Sequence, residues 1–151
     1  MSAENNLSKL NINLPKAPDP VGSYVASKIV GNLIYISGQV SFNSKGELTK
    51  GKIGKELNLE QGQDAAKLCA LNILAQLKKK CGSLDKVKGC VKLTGYVNST
   101  DSFVDQPKII NGASDLISNI FGDEGKHTRA AVSVSSLPMG AAVEVDGIFE
   151  L

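Results

Sequence analysis

Two charged residues near the carboxyl end, Arg129 and Glu144, have the types and the spacing for binding an anion and orienting water. Each lies in a run of alternating apolar and polar residues, and residues 137–140 separate the two runs as a turn. If the runs form a hairpin with their valines over one core, Arg129 and Glu144 share the opposite face. An arginine fork beside a carboxylate then suggests a site. The alternative interpretation is a solvated surface ion pair, which is common and weak.

The composition is typical of one globular domain. The chain has 151 residues, of which 42% are hydrophobic and 21% are charged, so it can bury its own core. The net charge is +2, and the densest basic run, residues 78–80, falls where a helix should end and suits the negative end of the helix dipole. With no Trp and three Tyr, the chain lacks stacking platforms for bases. We therefore predict no nucleic-acid partner.

Three cysteines, Cys69, Cys81 and Cys90, show no CxxC spacing, and the chain has one His. This set lacks the usual ligands of a zinc site, and we predict no metal site. The first residues lack the apolar core of a signal peptide, and no apolar run approaches the roughly 18 residues of a membrane span. Free thiols without a secretory signal fit the reducing cytoplasm, so we predict a cytoplasmic protein without membrane contact.

The pattern along the chain predicts an extended, proline-punctuated arm over residues 1–20 and a single domain over residues 21–151. Within that domain it predicts strands at 23–28 and 33–40, a helix at 59–80, a strand at 87–97, a helix at 102–120 and two closing strands. This order favours an α+β fold in which two helices cover one face of a mixed sheet. The other face would be solvated or covered by a second copy of the chain.

Several segments resemble one known family: YISGQV at 35–40, the helix LEQGQDAAKLCALNILAQL at 59–77, residues 103–111, and RAAVSVSSLP followed by Glu144. The chain resembles the reactive intermediate deaminase family, also called the YjgF or L-PSP endoribonuclease family, over residues 22–149. The form of the last motif is closest to a bacterial YjgF-like branch. The resemblance implies a chorismate-mutase-like fold, a homotrimeric barrel and clefts between subunits.

The implied activity is the cofactor-independent hydrolysis of reactive 2-enamino and 2-imino acids to 2-oxo acids and ammonia. By resemblance, Arg129 would bind the substrate carboxylate and Glu144 would direct the attacking water. Tyr24 would reach the substrate end of the site, and Ser37 with Gly38 would let backbone amides approach the ligand. From the residues alone, Tyr24 could equally be an amphipathic strand end, and the Ser37–Gly38 pair could reflect close packing.

Asn111 and Ala131 complete the set of substrate-binding residues that the resemblance implies. Asn111 would otherwise be a mid-helix residue that supports packing. At Ala131 the well-studied deaminases have a reactive cysteine, so this site would use the backbone carbonyl and would not respond to thiol reagents. His127 is interpreted as a loop residue. Two other functions stay open: a non-catalytic module that binds small 2-oxo acids, and a single-strand endoribonuclease or translation inhibitor.

Overall fold

A five-stranded sheet and three α-helices form the protein in a computed structural model that describes all 151 residues. The sheet order is β1-β2-β5-β3-β4, in which β3 and β4 run parallel and the other neighbours are antiparallel. This confirms the α+β class and the mixed sheet. In chain order the elements are α1 (Ala3–Lys9), β1 (Ser27–Val30), β2 (Leu33–Val40), α2 (Leu59–Cys81), β3 (Gly89–Asn98), α3 (Gln106–Phe121), β4 (Thr128–Val134) and β5 (Val143–Glu150).

Two helices cover one face of the sheet, as predicted. α2 packs on β2 and β5, α3 packs on β3 and β4, and the two helices contact each other. Leu74, Leu93, Ile110 and Phe149 are fully buried in the core between these layers. No helix of the chain covers the other face, which carries partly exposed apolar side chains such as Tyr35.

The boundaries of α2 agree with the sequence. Asn58 and Gln61 form a reciprocal capping box at its start, and Gly82 ends it in a left-handed conformation with φ 83°. The predicted lysines at 78–80 occupy its last turn, where they complement the helix dipole. Asn72 is buried on the core side and donates to the carbonyls of Val40 and Phe42 at 3.2 and 3.0 Å. The helix is thereby tied to the end of β2.

α3 begins at Gln106, four residues later than predicted. Two polar side chains that precede the helix do not cap it: the Asn98 amide donates to the carbonyl of Ala141 at 3.1 Å, and the Ser99 and Ser133 hydroxyls lie 2.6 Å apart. Residues 99–105 therefore cross to the helix without helical structure. Pro107 lies in the first turn, where its missing N–H costs least.

The two closing strands do not pair with each other, so the predicted hairpin is wrong. β4 lies at the sheet edge beside β3, and β5 lies on the other side of β3. Residues 135–142 connect them across the end of β3, and this connection is longer than a tight hairpin loop. The backbone N–H of Asn98 donates to the carbonyl of Ala142 at 2.9 Å, which fixes the crossover in place.

The first residues form a helix, so the prediction of an extended arm over residues 1–20 is wrong for residues 3–9. Ala3 and Leu7 are buried in the common core because α1 packs against α3 and residues 84–86. Glu4 holds this contact: its carboxylate accepts from the Leu84 N–H at 2.9 Å and from the Lys78 ammonium at 2.9 Å. The helix is therefore part of the domain.

Replacing Glu4 by glutamine should lower the free energy of unfolding at pH 7 by about 1 kcal/mol, since hydrogen bonds to the carboxylate are lost at a partly exposed position. The Lys78 ammonium and the Leu84 N–H lower the pKa of Glu4, and a lowered pKa stabilises the fold above the ordinary value of 4.5. The difference should vanish as the pH falls from about 5 toward 3, measured by urea unfolding. Glu124→Gln, at an exposed carboxylate, is the control. An equal loss at pH 3 would contradict this role.

Candidate functional site

Arg129 and Glu144 lie on opposite faces of the sheet. β4 places Arg129 beside Leu93 of β3, and β5 places Glu144 beside Tyr96 of the same strand. Side chains alternate along a strand, and no register shift separates these two positions, so Leu93 and Tyr96 face opposite ways. Because Leu93 is buried under the helices, Arg129 faces α3 and Glu144 faces the uncovered side. The prediction that the pair shares one face is therefore wrong.

The prediction of a shared face failed because the valines of β4 do not face the core. Ala130 and Val132 face the uncovered side with Tyr96, and Val132 is 45% exposed. The residues that alternate with them, Ala131 and Ser133, face α3. An edge strand can leave an apolar row outside the core, so alternation identified the strand but assigned its core face incorrectly.

The arginine half-site consists of Arg129 and the groups on α3 that accept from its guanidinium. Nη1 donates to Asn111 Oδ1 at 2.8 Å and to Ser114 Oγ at 3.1 Å, and Nη2 donates to the carbonyl of Pro107 at 3.3 Å. Arg129 is the only arginine in the chain. Three of its five N–H groups are used, which leaves the Nε–H and one Nη2–H without a protein acceptor. Two adjacent N–H groups are what a carboxylate needs for a bidentate pair.

The start of α3 is fixed over β4 by Ser133. Its hydroxyl accepts from the Gln106 amide at 2.8 Å, and the same amide donates to the Phe103 carbonyl at 2.9 Å. This contact anchors the turn of α3 that carries the Pro107 carbonyl. The position of the guanidinium therefore depends on both β4 and the first turns of α3.

Asn111 accepts a hydrogen bond from the Arg129 guanidinium, and its role in substrate binding stays a prediction. Ser114 was missed by the sequence analysis, although its spacing of three residues from Asn111 places both on one side of α3. His127 lies outside the helices and strands, as predicted for a loop residue, and its side chain contacts Ser114, with 2.9 Å between Nε2 and Oγ. The alternation of residues 127 and 129 could have indicated that the two side chains share a face.

The glutamate half-site consists of Glu144 and the neighbouring residues Ser37 and Gly38 of β2. It forms at a bulge in β2. Ile36 pairs with Gly147 and Gln39 pairs with Val145, so β2 uses three steps where β5 uses two. The extra residue lies at Ser37 and Gly38, and it disrupts the ladder beside Glu144. Bulges re-aim side chains and backbone groups, which is why they are frequent next to active sites.

Gly38 makes room for Glu144. A Cβ at this position would lie 2.9 Å from Glu144 Cδ, so any larger residue would displace the carboxylate. No protein group donates a hydrogen bond to the Glu144 side chain. Burial raises the pKa of Glu144, and the neighbouring Asp146 carboxylate adds to this increase. Glu144 is thus a carboxyl group that has no protein hydrogen-bond donor and has a raised pKa.

Asp146 and Tyr96 lie on the same face as Glu144 and were not predicted as site residues. The Tyr96 hydroxyl donates to Asp146 Oδ2 at 3.1 Å. Burial and the Asp146 charge raise the pKa of Tyr96, so the hydroxyl keeps its proton. The signal that could have found Asp146 is its two-residue spacing from Glu144 on one strand.

Tyr24 and Ser37 lie with Glu144 in a groove of about 1110 Å³ on the uncovered side. The Ser37 hydroxyl donates to the Val25 carbonyl at 2.6 Å, which ties the segment carrying Tyr24 to the bulge. Tyr24 is 50% exposed, and its hydroxyl accepts from the Val21 N–H at 3.3 Å. The structure therefore brings Tyr24, Ser37, Gly38 and Glu144 together, and it places Arg129, Asn111 and Ala131 elsewhere.

The cysteines do not offer a nucleophile. Cys69 and Cys90 are buried, and burial raises the pKa of Cys90 to about 12 and the pKa of Cys69 as well. Burial also raises the pKa of Cys81, which is less enclosed. A thiol with a raised pKa stays protonated near neutral pH and reacts slowly.

Ala131 packs against the core from β4, and its backbone lies in the edge strand.

Two global features bear on the class of site. No group of three or more His, Cys, Asp and Glu side chains is arranged to hold a metal ion. None of the helices combines the length and the apolar character that crossing a membrane requires.

Comparisons with known proteins agree with this fold. The family model described as "YjgF/chorismate mutase-like, putative endoribonuclease" matches residues 4–151. Protein TCP17 of Trypanosoma cruzi is 46% identical over 147 residues, covering 97% of this chain and 92% of the relative. A crystal structure named a "putative endoribonuclease" from Shewanella oneidensis is 33% identical, covers both chains completely and has a TM-score of 0.96.

A more distant relative carries the name of an enzyme. The 2-iminobutanoate/2-iminopropanoate deaminase of Rattus norvegicus is 29% identical over 140 residues, which cover 91% of this chain and 86% of the relative. The family match extends over nearly the whole chain and includes most of α1, which the resemblance seen in the sequence did not reach. The chain belongs to the YjgF/chorismate mutase-like family.

Proposed function

We propose that this protein hydrolyses reactive 2-imino and 2-enamino acids to 2-oxo acids and ammonia in clefts between copies of the chain. In each cleft the arginine half-site of one copy would face the glutamate half-site of another. The observation that carries this proposal is that one chain holds both half-sites on opposite faces of its sheet, each with hydrogen-bonding groups that no protein atom engages. The trimer implied by the sequence resemblance is one assembly that would bring them together.

The uncovered face supports association. Tyr35 and Val132 are 44% and 45% exposed on this face, and Ile148 lies between their strands. Exposed apolar side chains on three of the five strands are more typical of an interface than of a solvated sheet. The deaminase name of the rat relative is consistent with the chemistry that the two half-sites could perform together.

In the proposed reaction, Arg129 holds the substrate carboxylate. Its free Nε–H and Nη2–H form the bidentate pair, while Asn111, Ser114 and the Pro107 carbonyl keep the guanidinium plane fixed. A fixed carboxylate places C2 of the imine at a defined distance from the opposing half-site. By resemblance, the backbone carbonyl of Ala131 would contact the imine nitrogen.

Glu144 then transfers protons between the attacking water and the substrate. As the carboxylate it accepts a proton from the water that attacks C2 of the protonated imine, which forms a neutral tetrahedral carbinolamine. The protonated carboxyl returns that proton to the amine, the C–N bond breaks to release ammonia, and the Glu144 carboxylate takes up the hydroxyl proton as the C=O bond of the 2-oxo acid forms. A raised pKa suits this alternation, because the group can hold a proton closer to neutral pH than an ordinary glutamate.

The test couples a serine or threonine dehydratase, which releases the unstable enamine, to the purified protein. We expect the rate of 2-oxo acid formation to rise with added protein. Saturable binding of pyruvate without any rise in this rate would instead support a non-catalytic binding module. An unchanged rate together with no pyruvate binding would contradict both functions.

Gly38→Ala should lower kcat by about tenfold or more, because the new methyl group displaces the Glu144 carboxylate from the position that directs water. The flexible end of a side chain can move aside, so the fold should survive with a Tm within a few degrees of the parent's, about 1 kcal/mol or less. The measurement is the coupled assay with thermal unfolding as the control. Full activity would show that the position of Glu144 is not critical.

A further inference from the structure

The only arginine and the only histidine of the chain meet at one hydroxyl group. Ser114 Oγ on α3 lies 3.1 Å from Arg129 Nη1 and 2.9 Å from His127 Nε2. On the other side of the imidazole, His127 Nδ1 lies 2.6 Å from the Gly125 carbonyl. These contacts form a continuous chain of hydrogen bonds from a backbone carbonyl to the guanidinium.

The donors and acceptors in this chain have a fixed order. The Gly125 carbonyl can only accept, so His127 Nδ1 must carry a proton. In the neutral imidazole, Nε2 then has a free lone pair and accepts the Ser114 hydroxyl proton. The guanidinium can only donate, and Ser114 Oγ accepts from it with a lone pair. In this chain of hydrogen bonds, each donor faces an acceptor and each acceptor faces a donor.

The histidine removes a competing arrangement. A serine inside a helix can also donate its hydroxyl proton to the carbonyl four residues earlier, here that of Ile110. If Ser114 adopted that rotamer, its lone pairs would turn away from Arg129. An Nε2 lone pair at 2.9 Å draws the hydroxyl toward His127 and leaves the lone pair aimed at the guanidinium.

We propose that Ser114 and His127 are a positioning pair that orients Arg129 for a small carboxylate. The pair does not contact the substrate. It fixes the Nη1 corner of the guanidinium, and so presents the Nε–H and Nη2–H edge outward. The role in substrate binding rests on the proposed function, whereas the hydrogen-bond chain is a property of the protein without ligand and can be measured separately.

The first experiment detects the chain of hydrogen bonds directly, by NMR of the ¹⁵N-labelled protein without ligand. With one histidine and one arginine, both side chains give signals that need no assignment by mutation. At pH 8, where an ordinary histidine is neutral, we expect the tautomer with the proton on Nδ1, the less common form in water. A proton on Nε2, or averaging between the two tautomers, would overturn the proposal.

The second experiment follows the Arg129 guanidinium in variants. In Ser114→Ala we expect faster rotation about the Nε–Cζ bond and faster modification by phenylglyoxal, each by about threefold or more. Ser114→Thr keeps the hydroxyl and should behave like the parent. Ser118→Ala, the same change one turn later on α3, is the matched control. Identical guanidinium dynamics in Ser114→Ala and the parent would overturn the proposal.

The third experiment measures the affinity for pyruvate. Ser114→Ala should raise Kd by about tenfold, the size of one hydrogen bond to a charged group. A glutamine at position 127 can place an acceptor near the former Nε2, whereas an asparagine reaches only the former Nδ1. His127→Gln should therefore stay within about threefold of the parent, and His127→Asn should resemble Ser114→Ala. Equal affinities in these two variants would count against the pair.

The outcomes separate the two proposals. If Arg129→Ala binds pyruvate as well as the parent does, the proposed carboxylate site is wrong, while the NMR results can still support the hydrogen-bond chain. If Arg129→Ala loses pyruvate and Ser114→Ala does not, the site stands and the positioning pair is wrong.

Discussion

Arg129→Ala is expected to lower kcat/KM for 2-aminoacrylate by at least about a hundredfold, because two hydrogen bonds to a charged group are lost, each contributing about 1.5 to 3 kcal/mol. The effect should be this large because the chain has no other arginine that could take over the carboxylate. Asn111 and Ser114 would also lose their donor, yet both can turn toward water. The coupled dehydratase assay gives the rate, and circular dichroism checks the fold.

Arg129→Lys separates charge from geometry. An ammonium keeps the positive charge but cannot form a bidentate pair or satisfy three acceptors on α3 in one plane. We expect its activity to lie between that of the parent and that of Arg129→Ala. If Arg129→Ala turned over 2-aminoacrylate at the parent's rate, the assignment of the carboxylate site would be wrong.

Mixing two inactive variants is expected to restore activity. Arg129→Ala lacks the arginine half-site and Glu144→Gln lacks a working glutamate half-site, but a cleft between the two can combine the intact halves. When equal amounts are unfolded and refolded together, about a quarter of the clefts should be complete, whatever the number of copies in the assembly. The measurement compares the mixture with each variant refolded alone.

The matched control refolds Arg129→Ala with a chain that carries both substitutions. No cleft in that mixture has an intact arginine half-site, so its activity should stay at the level of Arg129→Ala alone. A first mixture that also stays inactive, with mixed assemblies present by native mass spectrometry, would show that both charges act within one chain. That result would contradict clefts between copies.

Much of the fold was readable from local chemistry. The helical spacing of apolar residues in α2, its end at Gly82 and the tight turn at Gly31 and Asn32 are decided by neighbours in sequence. The capping box of α2 and the lysines in its last turn are local as well. Such features agree with the structure because no distant contact competes with them.

The pairing of the strands could not be predicted from local sequence in the same way. Alternation predicted two strands around Arg129 and Glu144, which the structure has at 128–134 and 143–150, but pairing depends on which edges are free once β3 is in place. The parallel neighbour of β4 is β3, whose paired residues lie 36 positions earlier in the sequence, as Leu93 and Arg129 show. Parallel strands need a long connection, and α3 provides it. The face of Arg129 depends on this pairing, so it was assigned incorrectly.

The sequence analysis named residues for a candidate site but did not predict how they are arranged. Arg129 and Asn111 do contact each other, and Gly38 does approach Glu144. Ser114 was missed because a serine in a helix carries no signal of its own until its neighbours are known. The bulge in β2 was missed because one extra residue changes a register without changing the composition of the strand.

The placement of the two charges on opposite faces has a genetic consequence. Under the proposed function, a substitution at Arg129 or Glu144 damages a cleft that the altered chain shares with a neighbour, so an altered copy made beside a normal one would spoil part of the normal copy's activity. The same property would let duplicated genes diverge, with one product losing its arginine and the other its glutamate. Neither product would then act by itself, and selection would keep the two together.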